Sequence, residues 1–457
     1  MRTKGRININ NIRQLWLAVR SSFWFLPTLL VLASVILAVV LVESEHWLPS
    51  GLLEEWPRLF GSDAESARGL LTTIATTMIT VAGVAFSSTL VALSLASSQY
   101  SSRVLHNFMR DKGTQSALGA FVGIFAYCLV VLRTIRGGDD VEYVPSLAVL
   151  GGLALGFVGI AVLIYFIHHI ARVIQANHIL AEVAADTIAA IENLYPERGG
   201  LENSFLESAN SGATQNWYPV LADKTGYLQS ADIDALLAFA RKRHTVVRME
   251  RMVGQFVIEG VPVFSLLGTA VTDDDYSQLY WLYAVGRQRT VEQDAAFGIR
   301  QLVDVALRAL SPGVNDTTTA VMCLHHLTAI LVRLTDRKIE CSFRAKDDKI
   351  RLLTPGPTYA DLIADAFDQI RQNASANVAV LEVLLGSLEL LASITTDMAR
   401  RKVLLQHAQA VAELGYISVP DRQDRQRVGD KSSRLIATLS TSSLERATTG
   451  KGEHVTL

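Results

Sequence analysis

Apolar residues are spread unevenly along this chain. Four uncharged apolar runs, Phe23–Val42, Leu70–Ser98, Ala117–Leu132 and Leu147–Ile167, fall in its first 170 residues, and nothing after Ile170 approaches them. A helix needs about 20 mostly apolar residues to cross about 30 Å of hydrocarbon, so the four runs predict four membrane spans. The first run follows a basic leader (Arg2, Lys4, Arg6, Arg13, Arg20), as a secretion signal would. Glu43-Ser44-Glu45 follows it in place of a small-residue cleavage site, which predicts a retained anchor.

Charges in the short flanks orient the spans. The leader has five basic residues and no acid, whereas loop 43–69 has Arg58 and Arg68 against Glu43, Glu45, Glu54, Glu55, Asp63 and Glu65. The next loop is basic (Arg103, Arg110, Lys112), the third is mixed, and the fourth span ends at His168, His169 and Arg172. The pattern predicts cytoplasmic termini, the parity that four spans require.

The second run is unlike the others. Thr73, Thr80, Ser87 and Ser94 recur every seven residues, which sets hydroxyls along one slowly drifting helix face. Hydroxyl residues at such spacing serve helix packing, with each hydroxyl bonded to its own i−4 carbonyl, or they line a water-facing path shared by several subunits. No acidic or basic residue lies inside a run, which argues against a proton-coupled pump or a voltage sensor.

Beyond Ile170 the pattern becomes that of a soluble protein. Ile174, Ile179, Val183, Ile188 and Ile191 predict that the fourth span continues as a helix, ended by Pro196 and Gly199-Gly200, with a polar loop over 199–216. Short alternating stretches at Trp217–Leu221, Tyr227–Gln229, Val246–Met249, Gln255–Ile258, Val263–Leu267 and Tyr280–Val285 predict strands, with a helix at Ile233–Arg243. Gly254–Gly260 has the flavour of a barrel-sandwich turn, but the lysine that a carrier domain presents there is missing. Helices are predicted at Thr290–Leu310, from Thr317 to about Leu334, and at Tyr359–Asn373, Asn377–Ile394 and Asp397–Leu414.

The fold class expected is a mainly α membrane protein: four transmembrane helices plus a cytoplasmic α+β domain with a small β module and a helical C-terminal part. The domains divide into a basic cytoplasmic segment 1–22, a membrane domain 23–170, a helical extension and loop 171–216, a β module 217–285, a helical domain 286–415, and an Arg/Ser/Thr-rich tail 416–457 expected to be disordered.

Composition adds exclusions. Net charge is −2 in 457 residues, with mean hydropathy +0.27, so no global charge calls for nucleic acid. Cys128, Cys323 and Cys341 are far apart and form no CxxC, so neither a disulfide framework nor a zinc finger is indicated. There is no Walker loop, GxGxxG after a strand, GxSxG or HExxH, so no catalytic residue and no cofactor is assigned. His168, His169 and His178 are the low-ranking metal candidates; neighbouring histidines on a helix diverge by about 100°, so a site would need carboxylates from elsewhere. The densest polar element runs from Arg287 to Asp316 and includes Arg289, Asp294, Arg300, Asp304, Arg308 and Asn315. It is a candidate for ligand sensing or a subunit interface. Asn315 or Asp316 can cap the following helix, whose free amides could otherwise bind an anion.

Four stretches carry a family resemblance: Thr80–Gln99 (TVAGVAFSSTLVALSLASSQ), Asn107–Asp111 (NFMRD), Tyr165–Arg172 (YFIHHIAR) and Asp304–Asp316 (DVALRALSPGVND). Over about residues 10–415 the chain resembles the predicted bacterial membrane proteins of domain-of-unknown-function family 2254. That resemblance implies the topology and residence in the bacterial inner membrane, and supplies no reaction. It also leads one to expect a proline after the Asn-Asp pair, where this chain has Thr317. The functional expectation is a homo-oligomeric channel or permeation pathway in the lipid bilayer with a cytoplasmic regulatory domain. A non-conducting sensor or scaffold comes second, and a metal-dependent enzyme third.

Overall fold

The computed structural model describes residues 24–44, 63–99, 111–136, 143–173, 175–195, 216–268, 270–339, 342–346 and 349–449. The basic leader, the loop predicted over 199–216 and Ile174 lie outside the described residues, apart from Asn216. The chain divides into two compact units, Met1–His178 and Ile179–Leu457. It is mostly helical, with a small sheet region. Among the described residues, five helices are long and apolar enough to cross a membrane.

Four of these helices make up the first unit: α1 (Phe25–Ser44), α2 (Ala64–Gln99), α3 (Lys112–Thr134) and α4 (Ser146–Val173). α2, α3 and α4 each contain one of the apolar runs, and α1 covers the first from Phe25 on. In hydrocarbon there is no aqueous driving force between helices, so packing depends on close approach of small residues. Gly119 of α3 lets α1 in: a Cβ there would stand 2.8 Å from Pro27 Cα. Gly159 of α4 does the same for α2, since a Cβ there would meet Met78 Sδ at 2.6 Å. Tyr127, fully buried, donates its hydroxyl proton to the Ala148 carbonyl at 2.7 Å and ties α3 to α4. The inward face of α2 is a ladder of Ala64, Ala67, Leu71, Ala75, Met78, Ala82 and Ala85, at steps of three or four residues.

The next helix, α5 (Ala176–Leu194), begins in the last residues of the first unit and lies mostly in the second. The predicted continuous extension of the fourth span is thus corrected. α4 ends at Val173 and a new helix begins at Ala176, with Gln175 N–H donating to Arg172 O across the junction. The strands are β1 (Trp217–Leu221), β2 (Gly226–Ala231), β3 (Val247–Met249), β4 (Phe256–Val257), β5 (Pro262–Leu267), β6 (Tyr283–Gly286), β7 (Ser342–Lys346) and β8 (Lys349–Thr354). They form a five-stranded sheet, β1-β5-β3-β8-β7, and a three-stranded sheet, β4-β2-β6. All pairs are antiparallel except β3 with β8. The β region therefore does not end at residue 285: the β7–β8 hairpin arrives from downstream and adds two strands. Helices α6 (Ile233–Lys242) and α7 (Asp273–Leu279) accompany the sheets, and Leu236, Phe239, Phe264, Leu266 and Leu279 fill the core.

The helical part comprises α8 (Ala295–Ala309), α9 (Thr317–Thr335), α10 (Tyr359–Asn373), α11 (Val378–Ile394), α12 (Met398–Ser418) and α13 (Arg422–Thr449). α13 overturns the expected disordered tail. Its composition is polar, but Val428, Ser432, Leu435 and Leu439 are buried as a narrow stripe against α11 and α12. These four lie at helical i, i+4, i+7, i+11 spacing, but the surrounding residues are so polar that the stripe orders only through tertiary packing.

One buried charge organises this part. Arg400 of α12 is 5% exposed and donates to the carbonyls of Leu334, Thr335 and Arg337, at the end of α9, while stacking on Tyr359 of α10. A helix end leaves four carbonyls without partners, and this guanidinium satisfies that need from a third helix. Replacing Arg400→Met removes the donor and strands those carbonyls, at an expected cost of about 2–4 kcal/mol. Thermal unfolding of the purified full chain should show the second unit melting earlier; an unchanged transition would contradict this role.

Candidate functional site

The structure places Thr73, Thr80, Ser87 and Ser94 together on one exposed face of α2, opposite the alanine ladder. Within the unit, alanines rather than hydroxyls fill the helix–helix contact. Thr73, Thr77, Thr80 and Thr89 donate back to the carbonyls four residues earlier, at 2.7–2.8 Å. Among the described residues, Ser87, Ser88 and Ser94 have no such side-chain bond. Ser87 and Ser88 line a groove of about 360 Å³ with Val84, Val91, Leu95 and Ile170 of α4.

This face differs from the other exposed faces of the unit. α1 exposes Leu29, Leu32, Ile36, Leu37, Val39 and Val40, and α4 exposes Phe157, Val158, Ile160, Ile164 and Ile167. Those faces suit lipid. α2 instead alternates Ile79, Val84, Leu90, Val91 and Leu95 with exposed threonines and serines.

At one end of the same unit, Asp111 caps α3, accepting from Gly113 N at 3.1 Å and Thr114 N at 2.9 Å. The same carboxylate meets His169 Nε2 of α4 at 2.7 Å, and the His169 ring stacks on Tyr165. Burial works to raise the Asp111 carboxyl, but the Thr114 and His169 hydrogen bonds outweigh it and hold it below the usual carboxylate range. His169 is thereby committed to Asp111, while His168 and His178 are exposed. Among the described residues, no group of three His, Cys, Asp or Glu side chains forms a metal-holding cluster. Asp111, at the end of the NFMRD stretch, was missed as a site residue because its partner lies 58 positions away.

The Arg287–Asp316 element is only partly one site. Asp294, 6% exposed, caps α8 at Phe297 N and takes a two-pronged bond from Arg289, Nε to Oδ2 at 2.7 Å and Nη2 to Oδ1 at 3.0 Å. Gly254, at φ +92°, lies against that carboxylate, where any side chain would collide with it. The glycine of the β region and the aspartate of the motif thus share one contact. Burial pushes the Asp294 carboxyl up, and Arg289 offsets only part of the rise. Arg300 Nε pairs with Asp304 Oδ1 at 2.8 Å along the helix surface, whereas Arg287 and Arg308 are exposed.

Asp316 caps α9, accepting from the backbone and hydroxyl of Thr319. Thr319 holds its carboxyl below the usual range. The carboxylate occupies the helix start that an anion would need, so capping is the role the geometry displays. Asn315 adopts φ +48°, which asparagine tolerates. Thr317, standing where a proline was expected, accepts from Asn377 Nδ2 at 2.8 Å, and Asn377 caps α11. A proline there would lose this link between two helix starts.

The Arg289–Asp294 pair predicts a signed pH effect. In Arg289→Met the buried Asp294 carboxyl loses its cation and its already raised folded value climbs further. Stability is then greatest below the unfolded value of 3.8 and is lost as pH rises through the folded one. The melting deficit relative to the natural protein should be larger at pH 8 than at pH 5. An equal deficit at both would refute the burial argument.

Comparison with known proteins agrees with the membrane reading. Uncharacterized proteins of Mycobacterium tuberculosis (strain CDC 1551) and Mycobacterium bovis are each 33% identical over 425 residues, covering 90% of this chain and 79% of theirs. No solved structure matches. The family model described as predicted membrane protein (DUF2254) matches residues 20–390, well over half of the sequence, and this chain belongs to that family.

Proposed function

We propose that the chain is a four-span, homo-oligomeric protein of the bacterial inner membrane, and that the outward hydroxyl face of α2 lines a permeation path at the oligomer axis. The contrast between exposed faces carries this reading. Thr72, Thr73, Thr76, Thr77, Thr80, Ser87, Ser88 and Ser94 are exposed on α2, and α1 and α4 have no comparable stripe. Uncharged, hydroxyl-bearing walls suit a path whose gate is an apolar constriction.

The count of four sets aside the fifth apolar helix, α9. It is the least apolar of the five, and its Cys323, Leu324, Leu327, Ile330 and Leu331 are buried inside the second unit. Its Thr328 hydroxyl also bonds Ser387 of α11 at 2.7 Å. Such a helix is a protein core element. With four spans, the basic leader and the acidic 43–69 loop favour cytoplasmic termini and a cytoplasmic second unit. That unit offers buried polar anchors suited to a rigid regulatory domain.

Flux measurement tests the reading. Purified oligomer in liposomes or planar bilayers should pass small ions, and Thr80→Trp, placing a large ring on the stripe, should lower flux about tenfold or more. Oligomer that never conducts would sink the permeation path and leave the non-conducting sensor or scaffold. Flux indifferent to tryptophan at Thr80 and at Ser87 would remove α2 from the path.

A further inference from the structure

The chain leaves the fourth span through a joint that is gripped on both sides. α4 ends at Val173 and α5 begins at Ala176, with Gln175 N–H donating to Arg172 O and His178 N–H to Gln175 O. Two intervening residues, reaching at most about 3.6 Å each, leave no slack. A displacement of the start of α5 therefore pulls on the end of α4.

On the α4 side the grip is His169. Its Nε2 meets Asp111 Oδ2 at 2.7 Å, and its ring stacks on Tyr165 one turn earlier. Gly113 lets the ring lie on the first turn of α3, since a Cβ there would collide with the imidazole. Asp111 also caps that turn through Gly113 N and Thr114 N. One carboxylate thus holds both the start of α3 and the end of α4. The next residue, Ile170, walls the groove of about 360 Å³ against Val84, Ser87, Ser88, Val91 and Leu95 of α2. Where the end of α4 stands, one wall of that groove stands.

On the α5 side the grip is buried. Thr187 is fully enclosed, and Gly298 of α8 lies so close that a Cβ there would collide with its hydroxyl. Past the end of α5, Arg337 Nη1 donates to Tyr195 O at 2.6 Å and to Glu192 O at 3.4 Å. Arg337 in turn gives its own carbonyl to Arg400. α5 is therefore fixed to the helical part of the second unit. The two grips are unequal. The His169 and Asp111 side chains are 20% and 18% exposed, so water competes for their bond, whereas the Thr187 contact is closed to water. Under load the His169–Asp111 pair yields first, which makes it the two-state element that coupling requires.

From this we propose that the α4–α5 joint is a transmission: displacement of α5 with the second unit opens the His169–Asp111 latch and carries Ile170 away from α2. The latch joins two stretches, NFMRD and YFIHHIAR, that carry the family resemblance and had no role in the hydroxyl stripe. It supplies the regulatory link that a cytoplasmic domain needs if it is to act on the α2 face. The inference rests on the permeation reading for its purpose, whereas the coupling itself needs no conduction.

Amide hydrogen exchange of the full chain in lipid nanodiscs tests it, with one variant on each side of the joint. Asp111→Asn keeps an oxygen that caps α3 but removes the charge facing His169. Arg337→Met releases the end of α5 in the second unit. Coupling is reciprocal, so each variant should be felt across the joint. Asp111→Asn should speed exchange at least about threefold over Ile170–Val173 and over the first turn of α5. Arg337→Met should do the same at the end of α5 and, decisively, over Ile170–Val173. Thr187→Ala, which loosens the same grip more gently, replaces it if Arg337→Met does not fold. Faster exchange confined to each variant's own neighbourhood would make both grips merely structural and overturn the transmission. Exchange that crosses the joint in a protein that passes no ions would keep the coupling and end the permeation reading alone. Ion passage without that crossing would do the reverse.

Discussion

A bilayer offers backbone amides and carbonyls no partner, so a segment crossing it closes its own hydrogen bonds as a helix and leaves only side chains to negotiate with the surroundings. The first unit follows from that constraint. Once α1 to α4 are helices, each has a face toward its neighbours and a face toward whatever lies outside. Small residues govern the inner contacts: glycines admit Pro27 and Met78, and an alanine ladder lines α2. The outer faces then report what the surroundings are. Leucine, isoleucine, valine and phenylalanine fill the exposed faces of α1 and α4, whereas that of α2 mixes apolar residues with hydroxyls.

The second unit obeys the same accounting of polar groups: helix ends buried by neighbours need partners. Arg400 supplies donors to the end of α9, and Asp294, held by Arg289, supplies an acceptor to the start of α8. Asp316 and Asn377 cap α9 and α11, and the Thr317 hydroxyl joins the two caps. The polar residues of the Arg287–Asp316 element mostly complete backbone hydrogen bonding, which explains why they are so dense without forming a single pocket.

Much of this was legible along the chain. The apolar runs located α1 to α4, and the late helices began at the expected caps because Asn377 and Asp397 signal a start locally. Short strands at β1 and β3 followed from alternation and turn residues. What escaped the reading depended on partners distant in sequence. β7 and β8 join the sheet through a parallel pairing with β3 about a hundred residues away. α13 orders because α11 and α12 provide its buried face. Asp111 meets His169, and Gly254 meets Asp294, across gaps that no local pattern bridges.

The hydroxyl stripe shows the division most clearly. The seven-residue interval of Thr73, Thr80, Ser87 and Ser94 by itself determined that these side chains share one face, since helix geometry is local. It could not determine which way that face turns, because orientation depends on which neighbours fill the opposite side. Tertiary structure decided that point. The alanines of α2 permit the closest approach and take the inside, and the hydroxyls are turned out of the unit.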